Sequence, residues 1–200
     1  ATAGAHAQDQ GGAPQAQAPV VNAIVIQGNV EISTDRILEQ VTASKVGEPL
    51  DREKVQQDVN RIAEMGYFAN VEAVPAARSG GVELTFVVTE FPVVRSFTVE
   101  VAEGVVSESD VKALFSVRVG EILNARLLGD ELDALPIKSG EVLGYVLRPT
   151  DVGFRGEQGD ELYLAVTPVR VGKVRLEGNE KTKDHVILRE LPFKEGDILS

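Results

Sequence analysis

Cysteine and tryptophan are both missing from this 200-residue chain. Without thiols there is no disulfide framework and no thiolate metal site. Aromatic residues make up only 5%, so any core must be aliphatic, and a hydrophobic share of 43% is enough to build one. No run approaches the roughly 18 consecutive apolar residues that a membrane-spanning helix needs. Positive charge is scarce as well: 20 Lys and Arg face 31 Asp and Glu, a net charge of −11. A chain of that sign lacks the cations that neutralise phosphates, so neither nucleic acid nor an anionic lipid surface is an expected partner. The charge reads as solvation of the domain surface.

Signs of catalysis are also absent. Of the two histidines, His6 lies in the N-terminal leader and His185 in a helix with no second ligand at i+4, so no metal site is expected. Acidic pairs such as Glu108/Asp110 and Glu131/Asp133 read as solvated helix faces, and Ser107 and Ser109 as helix caps. Gly80-Gly81 reads as a hairpin turn and not as a phosphate cradle. No catalytic residue, cofactor or enzyme activity is expected.

What the chain does contain is a repeat. Ile24-Val-Ile26-Gln-Gly28-Asn29 returns as Val174-Arg-Leu176-Glu-Gly178-Asn179. Between them lies a middle copy, offset by 73: Ile24 and Ile26 fall on Phe97 and Val99, and Val46-Gly47-Glu48 with Leu50 fall on Val119-Gly120-Glu121 with Leu123. After an insertion of five the offset is 78, and Gly66-Tyr67 meets Gly144-Tyr145. A unit of about 75 residues is large enough to be a small domain.

Each unit follows one order. Alternation at Val20, Asn22, Ile24 and Ile26 predicts a strand, ended by the Gly28-Asn29 turn. Ser33, Thr34 and Asp35 cap a helix carrying Ile37, Leu38 and Val41, which Gly47 breaks. Asp51 caps a second helix with Val55, Val59 and Ile62 on one face, and Gly66 closes it in the left-handed conformation. Two strands follow, Tyr67 to Val74 and Val82 to Thr89. The fold class is therefore α+β: tandem strand-helix-helix-strand-strand units, each a three-stranded mixed sheet covered on one face by two helices. In the second unit Asn124 caps a helix that Pro136 is expected to end early, with Lys138-Ser139-Gly140 as a loop. The expected divisions are a disordered leader at 1–19, which holds a signal-like Ala5-His6-Ala7, and units at 20–92 and 93–168. The first half of a third occupies 169–200, so the chain reads as a fragment of a longer protein.

The motifs Ile26-Gln-Gly28-Asn29, Val46-Gly47-Glu48-Pro49-Leu50-Asp51, Gly66-Tyr67-Phe68-x-x-Val71 and Phe86-Val87-Val88-x-Glu90-x-Pro92 resemble a POTRA domain. The tandem resembles the periplasmic arm of a BamA-like outer-membrane protein assembly factor, from about Val20 to Ser200. That resemblance implies a location on the periplasmic face of the outer membrane and a membrane β-barrel further along the full-length chain. It implies two kinds of partner: unfolded outer-membrane proteins and accessory assembly subunits. It also implies guest strands pairing with an exposed sheet edge, the strand after the second helix. The candidate edges are Phe68, Ala69, Asn70, Val71, Glu72, Ala73 and Val74 in the first unit, and Tyr145, Val146, Leu147 and Arg148 in the second. Pro75 and Pro149 lie near these edges and are an alternative, protective feature. On this reading Glu72→Pro removes peptide binding and leaves the fold intact. Glu90, Phe91, Pro92 and Thr167, Pro168, Val169 are the expected interdomain hinges, semi-rigid because of their prolines. Arms of two-partner-secretion or translocation-assembly transporters, and FtsQ-like division scaffolds, remain alternatives within the same fold.

Overall fold

The computed structural model describes residues 18–178, 180–181 and 183–200. The expected leader lies almost wholly outside the described residues, as does Asn179 of the third Gly-Asn pair. The chain builds the same α+β arrangement twice. In the first unit β1 (Val21–Gln27), α1 (Thr34–Leu38), α2 (Arg52–Glu64), β2 (Phe68–Arg78) and β3 (Gly81–Glu90) follow in order. Their sheet has the order β1-β3-β2, with β1 parallel and β2 antiparallel to β3. The second unit repeats this with β4 (Ser96–Val101), α3 (Glu108–Lys112), α4 (Ala125–Leu143), β5 (Leu147–Arg155) and β6 (Glu161–Pro168), in the order β4-β6-β5.

The alternation read in the sequence sorts the side chains. Leu84, Phe86 and Val88 of β3 point into a core with Ile26, Ile37 and Ile62. Leu162, Leu164 and Val166 of β6 do the same with Val99, Val111 and Leu135. The caps are also in place. The Ser33 hydroxyl accepts from the Arg36 N–H, the Asp51 carboxylate from Glu53 and Lys54, and the Asn124 amide oxygen from Leu127. Such caps contribute about 1 kcal/mol each.

One backbone device recurs in all three units. Val21 N–H bonds Glu48 O, Gly47 N–H bonds Val21 O, and Leu50 N–H bonds Pro19 O. The same three bonds join Val94 to Glu121, Gly120 to Val94, and Leu123 to Pro92. They appear again as Val171 to Asp197, Gly196 to Val171, and Leu199 to Val169. The Val-Gly-Glu motif of the first two units is thus a clamp that ties the loop before the second helix to the start of the first strand. Gly47, Gly120 and Gly196 all have φ near +90°, where glycine is favoured.

Three elements depart from the sequence expectation. The first helix stops at Leu38 and does not run on past Val41, because the next turn is diverted: Thr42, Ala43 and Ser44 donate their N–H groups to the Asp58 carboxylate. In the second unit Pro136 does not end the helix. Residues 138–140 are helical, and α4 spans 19 residues against 13 in α2, closing at Gly144 with φ 76°. Proline fixes φ near the helical value and removes one N–H. Burial of Leu135 before it, and the hydrogen bond that the Ser139 hydroxyl accepts from Leu147 N–H after it, hold the helix in place. The inserted residues lengthen this helix and form no loop. Finally, residues 171–177 carry a strand pattern but form no strand, although α5 (Asp184–Glu190) follows them. In the first two units the equivalent strand is held by a hairpin strand, and here no such partner lies beside it among the described residues.

Candidate functional site

β2 lies at an edge of the first sheet, so one side of its backbone is unpaired within the chain. Which groups face outward follows from the register. Arg78 pairs with Gly81 across the two-residue turn Ser79-Gly80, and pairing continues without a break back to Asn70 opposite Thr89. The residues flanking a two-residue hairpin turn are hydrogen-bonded, and hydrogen-bonded pairs alternate in an antiparallel ladder. Asn70, Glu72, Val74, Ala76 and Arg78 therefore bond to β3. Val71, Ala73 and Ala77 turn both N–H and C=O to the outside. Pro75 has this outward phase, the one position type where a strand tolerates a residue without N–H.

The register corrects the role expected of Glu72. Its N–H faces β3, opposite Val87, so Glu72→Pro would break the sheet's own ladder. Phe68 is also not an edge contact: its ring is in the core, and a register shift separates it from Asn70, leaving Ala69 in the bulge. The Val74 side chain is 46% exposed on the sheet face away from the helices. The Val71 and Ala73 side chains face α2. With Leu50, Val55, Val59 and Pro75 they line a groove of about 650 Å³ along the outer edge of β2.

The edge of the second unit is different. Tyr145 and Val146 precede β5, and the strand extends beyond the expected edge residue Arg148 to Arg155. Val146 is already engaged, donating to Leu199 O and accepting from Val169 N–H. Leu147 is buried in the core. Arg148 is exposed and paired with Thr167. The strand is then interrupted by Pro149 and by a register shift at Thr150. Prolines and bulges are two devices by which sheets blunt their edges.

The expected hinge residues are bonded throughout. The Glu90 carboxylate accepts from Val30, Glu31 and Ile32 N–H, which locks the loop after β1 inside its own unit. Phe91 N–H bonds Tyr67 O while its ring packs on the second core, and Pro92 O accepts from Leu123. Thr167 and Pro168 are part of β6, and Val169 carries the clamp of the third unit.

A further joint between the first two units lies outside these residues, and only tertiary structure shows it. The N-terminus of α4 abuts the C-terminus of α2. Asn124 Nδ2 donates to Met65 O at 3.0 Å, Ala125 N–H to Gly66 O at 2.8 Å, and Arg126 Nη1 to Glu64 O at 3.0 Å. These are carbonyls that a helix end leaves without partners. Gly66 has φ 83°, and a Cβ there would lie 2.2 Å from Asn124 Oδ1. Ile122 reaches across to pack on the first core. Tyr67 sits at this seam, with the Arg36 guanidinium over its ring. Hydrogen bonding to Asn124, then to Arg36, holds the Tyr67 phenol below the ordinary tyrosine range.

Among the described residues no group of three or more His, Cys, Asp or Glu is placed to hold a metal, and no helix is long and apolar enough to cross a membrane.

Known proteins carry the same architecture. Outer membrane protein assembly factor BamA of Nitratidesulfovibrio vulgaris is 25% identical over 189 residues, which is 88% of this chain and 23% of that protein. The chain thus spans less than a quarter of that relative's length. The solved N-terminal domain of Omp85 from Thermosynechococcus elongatus is 26% identical, with a TM-score of 0.60, covering 90% of this chain and 79% of that one. POTRA1-3 of the periplasmic domain of Omp85 from Anabaena shares the fold at 23% identity, with a TM-score of 0.65 and the same coverage. The family model for POTRA, described as surface antigen variable number repeat, matches residues 19–90 and 169–200 and passes over the middle unit. Those two stretches make up just over half of the chain, which therefore belongs to the POTRA family.

Proposed function

We propose that this chain is the periplasmic scaffold of an outer-membrane β-barrel assembly factor, receiving unfolded outer-membrane proteins by strand addition at β2. The POTRA domains are 20–92 and 93–168, with the first half of a third at 169–200. Accessory subunits dock on the same arm, and a membrane β-barrel lies further along the full-length protein. The family membership and the BamA and Omp85 relatives support the assembly role.

The observation that carries strand addition is the β2 edge: outward N–H and C=O groups at Val71 and Ala73 beside an apolar groove. Strand addition takes affinity from backbone bonds and so depends little on guest sequence. That suits a receptor for many clients. At about 0.5–1.5 kcal/mol net per bond, a short augmentation is weak and reversible, as a handover requires.

Ala73→Pro tests this directly. Its N–H is outward, so the sheet ladder stays intact, as it does at Pro75. Titrating an extended β-strand peptide into both forms by NMR should show binding to the parent chain and none to the variant, with unchanged circular dichroism. Equal binding by both would refute strand addition at β2.

A further inference from the structure

Pro75 sits in the middle of an otherwise uniform edge, at an exposed position outside the first core. We propose that Pro75 is a register stop, limiting a guest strand to the five residues Asn70–Val74 and fixing which guest side chains face α2. This inference rests on strand addition at β2.

The stretch has two ends. On one side the bulge between Phe68 and Asn70 breaks the phase of the edge. On the other, Pro75 shares the outward phase of Val71 and Ala73 but has no N–H to donate, and its ring occupies the place where a guest carbonyl would approach. Beyond it Ala77 stands alone before the turn. A guest can therefore form complete bonded pairs only opposite Val71 and Ala73.

The same register dictates the chemistry of the guest. Directly paired residues project to the same face of a sheet. Guest residues opposite Val71 and Ala73 lie over the groove beside Val55 and Val59 of α2, with Arg52 and Gln56 further along its lining, and are preferred apolar. The residue between them lies opposite Glu72, which is exposed on the open face. A basic residue complements that carboxylate. The preferred guest is thus an apolar-basic-apolar triplet in extended conformation. Period-two alternation of this kind is the pattern of barrel strands.

Two peptides and two variants test the inference. One peptide carries a central Val-Lys-Val within a Thr-rich strand, and the other has Lys-Val-Lys in its place. The 200-residue chain, P75A and A73P are each titrated with both, and amide protection is mapped by hydrogen exchange. The expected result is that Val-Lys-Val binds the parent at least several-fold more tightly than Lys-Val-Lys, protecting the Val71 and Ala73 amides. P75A should extend protection to residue 75 and tighten binding by about two- to ten-fold, as one added hydrogen bond implies. If P75A binds with the same footprint and affinity while A73P does not bind, the register stop is wrong and strand addition stands. If A73P binds like the parent, strand addition itself fails. If P75A self-associates without peptide, by light scattering, the proline shields the edge from copies of the chain and sets no register.

Discussion

The two complete units share a topology and a backbone clamp but stabilise their loops by different means. In the first, the fully buried Asp58 carboxylate gathers three backbone N–H groups and is paired with Arg61. Its counterpart at the 73-residue offset is Glu131, which holds only the backbone N–H and hydroxyl of Ser116, both at the surface. The first unit also uses Glu90 to hold the loop after β1. At the corresponding position, 78 residues on, the second unit has Pro168, which cannot. There the loop closes through a 3-10 turn with Glu103 at φ 64°, unusual for a residue other than glycine. The edges diverge in the same way: β2 runs uninterrupted from Asn70 to Arg78, while β5 is broken at Pro149 and Thr150. A duplicated fold can thus keep its frame and give one copy a regular edge and the other a bulged one. These departures also fit the family model's passing over the middle unit.

The largest expected effect comes from the buried carboxylate. Asp58→Ala leaves three N–H groups and Arg61 without their partner, and should destabilise the first unit by about 3–5 kcal/mol. Glu131→Ala, which removes only surface hydrogen bonds, should lose no more than about 1 kcal/mol. Chemical denaturation of both variants measures the contrast, and equal losses would mean that burial does not distinguish the two latches. Next in size is Pro136→Ala. It restores an N–H to α4, and should stabilise the second unit by about 1–3 kcal/mol in the same assay, the range set by helix propensity. A loss of stability would show that α4 depends on the proline's geometry. The smallest effect is spectroscopic. Alkaline titration of the tyrosines should find Tyr67 ionising below the ordinary value and Tyr163 above it, because Asn124 and Arg36 hydrogen-bond the Tyr67 phenol and Glu100 that of Tyr163. Asn124→Ala should move Tyr67 back up toward the ordinary range and leave Tyr163 unmoved. A fixed Tyr67 titration would show that the seam between α2 and α4 does not depend on Asn124.

Some of the site could be read directly from the residues. Asp51 and Asn124 announced helix starts, Gly66 a helix end, and Leu84, Phe86 and Val88 a half-buried strand. Each depends on neighbours a few positions away. Glu72 was misread because the choice between inward and outward N–H groups is set by the turn at Ser79-Gly80 and shifts with a single residue of slippage. Pro136 was read by local rule as a helix end, and core packing overrode the rule. Asp58 and Glu131 do carry a signal in the sequence: carboxylates at one repeat offset, each in a helix of apolar spacing. The seam at Gly66 and Asn124 carried none, since 58 residues separate them.

The amino-acid sequence alone determined the repeat, the order of strands and helices, the caps and the aliphatic core, because period and backbone preference act over a few residues. Tertiary structure decided which backbone groups of β2 remain free, which carboxylate is buried, and where one unit meets the next. Those outcomes depend on register and on contacts between distant segments, whose energies no local pattern encodes.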